Sequence, residues 1–434
     1  ECQMIEYDSN RILEFTKKIN YIPTKNISET NCYILNTCHI REKATDKVYH
    51  DIGRLKKEFR NKKKPIVLIA GCVAQAEGEI LLKKEKYIDA VIGPQSYHEI
   101  NKIILNVEKK YSRINSTEFE TIEKFDQLNL IKNNENKTSS YITIQEGCDK
   151  FCKFCVVPYT RGPECSRPFS DILSEVKQLV DNGSKEVVLL GQNVNGYNYQ
   201  NKKLSDLIYS IDENKEVERI RYTTSHPKDF SNDLIEAHAD CKKLMPLLHL
   251  PVQSGSNKIL KNMNRGHTIE EYLEIIEKLK DKKPNIKLSS DFIIAYPGET
   301  NDDFDKTLKL LHELKFINSY SFIFSARPGT PAADMNKIEN KIAKDRLFVF
   351  QREAGLLKKN YRDKLVESKT RVLIENKING QNKYLGRDEY FNSVIVNCDK
   401  DLRGEILDIK IMNCNQNTLY GEIIVNDKYE EYAA

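Results

Sequence analysis

Short apolar runs and amphipathic stretches alternate through the first part of the chain. CYILN, PIVLIA and IDAVIG are strand-length, and residues 41–59, 76–84 and 97–107 between and after them have helical spacing. That alternation predicts an open, doubly wound α/β sheet over residues 1–110. Residues 111–138 are polar, rich in Asn and Lys, and read as a linker. From 139 to 363 a strand-then-helix pattern recurs six times, with strands at YITIQ, EVVLL, RIRYTT, MPLLHL, IKLSSDFII and SYSFIF. Six such units predict an open (βα)6 partial barrel rather than a closed eightfold one. Ser170 or Asp171 is placed to cap the helix after the first of these strands, and Gly183 to end it. From 364 to 428 the pattern turns to short strands and turns, TRVLIE, NSVIVN, GEILDIKIM and LYGEIIV, which predicts a small β-barrel.

A chain of 434 residues suits two or three domains. Its most apolar stretches, VVLLG and FIIAY among them, fall far short of a bilayer span, and no signal peptide is visible, so no membrane contact and a cytoplasmic site are expected. The net charge, 68 − 64 = +4, neither demands nor excludes a nucleic-acid partner. Eleven cysteines without a secretory signal point to a reducing compartment and to metal or redox chemistry.

The cysteines concentrate that chemistry. Cys148, Cys152 and Cys155 fall within eight residues, directly after the strand YITIQ. Thiolates are the usual protein ligands of iron–sulfur clusters, and three on a four-iron cube leave one iron open to a substrate. The loop lies where barrel active sites form, at the carboxyl end of a parallel strand. Phe154, between the last two thiols, is placed to pack its ring on a purine. The competing reading is a closed zinc site with Cys165 as fourth ligand, but zinc knuckles favour paired CxxC spacing. Cys38 and Cys72 each end a predicted strand, and the ends of neighbouring strands in an open sheet share one crevice. With Cys2 they form a second candidate trio, whereas Cys32, inside its strand, reads as structural. Cys165, Cys241, Cys398 and Cys414 read as non-ligands. The other barrel strands end in polar, glycine-bearing loops: GQNVNGY, TSHP, PVQSGS, YPGET and ARPGTPAA. Five such loops on one rim argue for a large polar substrate. His226 and His249 within them read as capping or core residues.

CxxxCxxC after a strand resembles the radical S-adenosylmethionine (SAM) signature, and EGCDKFCKFCVVPYTRGPE resembles its methylthiotransferase branch. ECQMIEYDSN, LNTCHIREKA and IAGCVAQAEGE resemble the N-terminal motifs of that branch. CQM, QNVN and PVQSGS favour the MiaB-type subgroup, the tRNA-2-methylthio-N6-dimethylallyladenosine synthases. The resemblance covers essentially the whole chain. It implies that Cys148, Cys152 and Cys155 hold a [4Fe-4S] cluster that binds SAM, and that Cys2, Cys38 and Cys72 hold an auxiliary [4Fe-4S] cluster. It implies SAM contact for Phe154, and SAM or substrate contact for Gln192. The implied reaction adds a methylthio group to C2 of dimethylallyl-adenosine at tRNA position 37, next to the anticodon, with two SAM per product. The implied partners are a prenylated anticodon stem-loop, a low-potential electron donor such as flavodoxin or ferredoxin, and a donor of sulfur for cluster repair; the protein is expected to be a monomer. The rivals are the same chemistry on threonylcarbamoyl-adenosine or on a ribosomal-protein aspartate, and a non-catalytic zinc RNA-binding protein. The chain departs from the subgroup at Ala295-Tyr296, where Gly-Phe is common, at Ala326, where Pro is common, and at Cys165. The family's first strand precedes Cys2, so the sheet is expected to lack a central strand.

The C-terminal block resembles the TRAM domain, a small RNA-binding β-barrel. From Asp363 onward ten Lys/Arg stand against thirteen Asp/Glu, a net of −3, so RNA binding would need a local face. Lys383, Arg387 and Arg403, with Tyr384 for stacking, are the candidates.

Overall fold

Four short parallel strands form the N-terminal sheet in chain order: Cys32–Thr37 (β1), Ile66–Gly71 (β2), Ala90–Ile92 (β3) and Ile114–Ser116 (β4). The computed structural model describes residues 3–38, 44–109, 113–118 and 137–424. Successive side chains along a strand point to opposite faces, and both faces are apolar here. Val67, Ile69 and Val91 meet Val48, Ile52, Leu55 and Leu81, while Leu68, Ala70, Ala90 and Ile92 meet Ile12, Phe15, Ile100 and Ile104. Helices therefore cover the sheet on both sides, as expected. Two details differ from expectation. β1 pairs directly with β2 over six residues, so the sheet has no central gap. Ile114–Ser116, inside the stretch read as linker, adds the fourth strand, because main-chain pairing alone suffices for so short an edge. Most of the rest of 111–138 lies outside the described residues.

Six parallel strands follow: Ser139–Thr143 (β5), Glu186–Leu190 (β6), Arg219–Thr223 (β7), Leu247–His249 (β8), Lys287–Ile294 (β9) and Asn318–Ile323 (β10). They form two three-stranded halves. The halves join where the Ile220 amide donates to the Lys243 carbonyl at 2.7 Å and the Met245 amide to the Ile220 carbonyl at 3.0 Å. Ile142, Val187, Leu189 and Ile220 turn outward onto the helices, packing with Ile172, Val176, Leu207 and Ile208. Each such fully buried side chain contributes about 1.5–3 kcal/mol. The helix after the cysteine loop spans Phe169–Asp181 with Pro168 at its N-cap, so Ser170 and Asp171 lie in its first turn rather than capping it. Gly183, φ 99°, follows its end as expected.

The inner face of the open barrel is occupied from two directions. Tyr141, Val188 and Leu190 alternate with the outward residues, and they receive Met4 and Tyr7 from the first helix, Gln3–Lys17. Arg219 and Arg221, also on the inner face, reach the C-terminal domain. There Lys369–Lys377 (β11), Lys383–Asp388 (β12), Ser393–Asn397 (β13), Ile406–Cys414 (β14) and Thr418–Ile423 (β15) close into a barrel ordered β11-β12-β13-β15-β14. Arg219 donates to the Arg387 and Arg371 carbonyls and Arg221 to those of Glu389 and Asp388, all at 2.8–2.9 Å. The RNA face read from the sequence needs correction: Tyr384 is 1 % exposed and fills the small barrel's core, so it cannot stack a base. Arg403 pairs with Asp401, and Arg387 bonds Ser393 and lies over Phe391, while Lys383 is exposed at the start of its strand.

Candidate active site

The cysteine loop leaves the barrel through the two-residue strand Gln145–Glu146. Gly147 must be glycine: its φ is 75°, and a Cβ would fall on the Pro163 backbone. The Cys148 amide donates to the Gly162 carbonyl at 3.2 Å, and the Cys155 amide to the Cys152 carbonyl at 2.9 Å. Phe151, exposed, takes a left-handed φ of 47°, held by the Asn264 amide group donating to the Lys150 and Phe151 carbonyls. Lys153 is tied on both sides, its amide to Met263 and its carbonyl to Ala332. Arg265 donates to the Cys152 sulfur at 3.4 Å and to the Pro251 carbonyl at 2.6 Å.

Two of the three thiols are shifted by burial and by their neighbours. Burial, with the other two thiols and Glu164 adding, pushes Cys148 up to about 12. Burial and Cys152 push Cys155 up to about 11, against the pull of Arg265. Binding to a cluster's iron would release these protons. Among the described residues, no three His, Cys, Asp or Glu groups are drawn tightly enough together for a single ion.

Polar groups crowd the rim beside this loop. Asn193 donates to Glu164 at 2.9 Å and Asp229 at 2.6 Å, and Lys150 pairs with Asp229 at 2.7 Å. His226 caps a turn through Nδ1, taking the Lys228 amide at 3.2 Å, as read from the sequence. His249 shares a hydrogen bond with Ser289 at 2.7 Å. Among the described residues, buried atoms without a protein partner gather here too: His226 Nε2, His267 Nε2, Arg265 Nε, Ser225 Oγ and Asn193 Oδ1. Burial, with Arg265 adding, lowers both imidazoles, His267 to about 4, so both are neutral at pH 7. Unpartnered buried groups of this kind are costly unless a ligand completes them. With three thiols alongside, they fit a cluster and a polar cofactor such as SAM.

Phe154 and Gln192, the two predicted contacts, both touch protein groups. Phe154 is half-buried against Ile259, Met263, Tyr296, Phe324 and Ala332. Gln192 engages protein: its Oε1 accepts the Gly147 amide at 2.7 Å, and its Nε2 approaches the Met4 sulfur at 2.6 Å. It thus ties the cysteine loop to the first helix. Asn264 and Arg265 were missed by sequence reading; the signal was an Asn-Arg-Gly break between two helical stretches. Ala295 has a φ of 58°, a conformation that glycine adopts without strain.

In the N-terminal sheet, Thr37 and Gly71 are register partners, so Cys38 and Cys72 follow adjacent strand ends. The Thr37 hydroxyl donates to the Ala70 carbonyl at 2.6 Å and fixes that corner. Cys2 lies outside the described residues. The helix that starts beside it, Gln3–Lys17, is held to the corner by the Asn36 amide group, which donates to Ser9 Oγ at 3.0 Å and the Ile5 carbonyl at 3.3 Å.

Comparison with known proteins decides the family. The model described as the radical SAM superfamily matches residues 142–311, and that of uncharacterized protein family UPF0004 matches residues 1–93. A tRNA-2-methylthio-N(6)-dimethylallyladenosine synthase of Pelagibacter ubique (strain HTCC1062) is 56% identical, across 98% of this chain and 97% of its own. The enzyme of the same name from Rickettsia akari (strain Hartford) is 44% identical, across 98% of each chain. This chain belongs to the tRNA-2-methylthio-N6-dimethylallyladenosine synthases. A synthase of this family is a radical SAM enzyme, and with it comes a [4Fe-4S] cluster and SAM. The synthase fold also resembles that of the radical SAM methyltransferase TsrM from Kitasatospora setae, with a TM-score of 0.53 and 11% identity over 71% of this chain and 65% of that one. No helix of the synthase is long and apolar enough to cross a membrane among the described residues.

Proposed function

We propose that this chain transfers a methylthio group to C2 of N6-dimethylallyl-adenosine at tRNA position 37, consuming two SAM per product. The observation that carries this reading is the pairing of two thiol groupings in one fold: Cys148, Cys152 and Cys155 on the barrel rim, and Cys38 and Cys72 at adjacent strand ends. The names of relatives at 43–56% identity over nearly the full length support it. The rim trio would hold a [4Fe-4S] cluster and SAM; Cys38 and Cys72, with Cys2, would hold an auxiliary [4Fe-4S] cluster. When bound, these groups supply a 5′-deoxyadenosyl radical that takes hydrogen from C2, and a sulfur that SAM methylates.

The chain's own residues place and enclose. Gln192 and Asn264 fix the path of the cysteine loop, and Arg265 offers a donor beside Cys152. Neutral His226 and His267 each keep a buried nitrogen that no described residue bonds, and neither adds charge. The partners under this reading are a prenylated anticodon stem-loop, a low-potential electron donor such as flavodoxin or ferredoxin, and a sulfur donor, met by a monomer in the cytoplasm. An unpaired loop base suits the chemistry, because its C2 must leave the stack to reach SAM.

The test is substrate choice. Burying a dimethylallyl group contributes about 0.8 kcal/mol per carbon, or on the order of a few kcal/mol in all. Reconstituted enzyme is given two tRNA samples that differ only in that prenyl group, and nucleoside mass spectrometry reads the product. Turnover confined to the prenylated tRNA is expected. Equal turnover on both sinks the substrate assignment and leaves the radical chemistry standing.

A further inference from the structure

Arg161 lies five positions beyond the buried Val156, at the end of the short helix Val157–Thr160, and is itself 3 % exposed. Its guanidinium serves two buried carboxylates from two separate units. Nη2 meets Asp8 of the first helix at 2.7 Å, and Nη1 meets Glu146, two residues before Cys148, at 3.3 Å. The Arg161 carbonyl accepts from Gln95 at 2.8 Å, and Gln95 also reaches Glu146 at 3.4 Å. From the other end, the Tyr97 hydroxyl donates to Asn36 at 3.2 Å, and Asn36 bonds Ser9, next to Asp8. The helix Val157–Thr160 packs against Cys72–Lys84. A continuous path, half-buried at Asn36 and Ser9 and buried from Asp8 onward, therefore runs from the strand end before Cys38, through the first helix and Arg161, to the loop of Cys148.

Burial works against charge on Arg161, but Asp8, Cys72, Glu146 and Tyr97 outweigh it, so the guanidinium stays charged. One cation thus answers two carboxylates. A planar fork can span two such partners in fixed geometry; an ammonium cannot.

We infer that Arg161 is a positioning residue that locks the Cys148–Cys155 loop against the Cys38/Cys72 corner and so sets the distance between the two sites. This rests on the two-cluster reading proposed above. Radical formation needs only the first site, whereas product needs both in register. Loss of the lock should uncouple them.

The experiment uses full-length, anaerobically reconstituted protein with chemical reductant, SAM and prenylated tRNA, comparing wild type with R161Q, R161K and D8N. Iron, sulfide, 5′-deoxyadenosine and methylthiolated nucleoside are measured, together with electron-spin relaxation of the reduced clusters. We expect R161Q to keep its iron and its rate of 5′-deoxyadenosine formation, while product per 5′-deoxyadenosine falls on the order of tenfold or more, as angstrom-scale misplacement does. R161K and D8N fall between, and the mutual relaxation of the two clusters weakens in the same order. A purely stabilising role would change none of these ratios. If R161Q does not load its clusters, R161K and D8N decide by the same ratio. Wild-type ratios in the variants that load overturn the proposal. Iron for only one cluster in the wild type overturns the two-cluster reading instead, before any variant is compared.

Discussion

Thr37 and Gly71 face each other in register across two parallel strands, so the thiols of Cys38 and Cys72 depart from one corner of the sheet. Gly71 has a φ of 91°, and a Cβ there would press on the Thr37 carbonyl and lie 2.6 Å from Asn36 Oδ1. G71A should therefore displace one thiol-bearing turn, at a cost of about 1–3 kcal/mol. Expected outcomes are a lower melting temperature and loss of about half the iron, one four-iron cluster of two. Full iron retention in folded G71A would count against a cluster at this corner.

The two thiol groupings lie on separately built elements, a strand-end corner and a barrel loop. C152A should remove about half the iron and abolish 5′-deoxyadenosine formation, while the remaining iron keeps its visible absorption. Loss of all iron from this single change would contradict two independent sites.

Four other cysteines are occupied elsewhere. Cys241 ends the helix Asn232–Asp240, Cys398 belongs to the small barrel's core, and Cys414 bonds Asp363 at 3.6 Å. Cys165 is held in a ladder opposite Glu146. Replacing all four with Ser should leave iron content and visible absorption unchanged. A drop caused by C165S alone would revive the four-thiol reading.

Burial, with Arg387 opposing and Glu186 adding, pushes Glu375 of the small barrel up to about 7. The folded value lies above the unfolded one near 4.3, so the folded state binds more protons between them. Stability from this group is full below the unfolded value and is lost as pH rises through about 7. E375Q should match wild type near pH 5 and gain on it at pH 8, by at most about 3 kcal/mol. Thermal melts at both pH values check this; a difference that does not vary with pH would refute it.

Local signals were legible in the sequence, and long-range ones were not. All six barrel strands and the spacing of Cys148, Cys152 and Cys155 are properties of contiguous residues, so pattern alone located them. The strand Ile114–Ser116 has one apolar residue in three, too little for any periodicity. Tyr384 looked like a surface aromatic among Lys and Arg, yet strand alternation turns it inward. The first helix was read only as a motif around Cys2; its docking depends on Arg11 pairing with Glu175 and Asp8 with Arg161, partners more than 150 residues away. No window of local sequence contains such a pair.

The C-terminal barrel is gripped through the main-chain carbonyls of Arg371, Arg387, Asp388 and Glu389, not through their side chains. A carbonyl is supplied by any residue type, so Arg371 and Glu389 can vary while Arg219 and Arg221 keep their hold; Asp388, whose buried carboxylate accepts from Tyr390 and Asn392, and Arg387, bonded to Ser393, are fixed by those other contacts. The attachment then constrains shape rather than letters. A domain mounted this way is free to change its outward surface without loosening from the barrel that holds it.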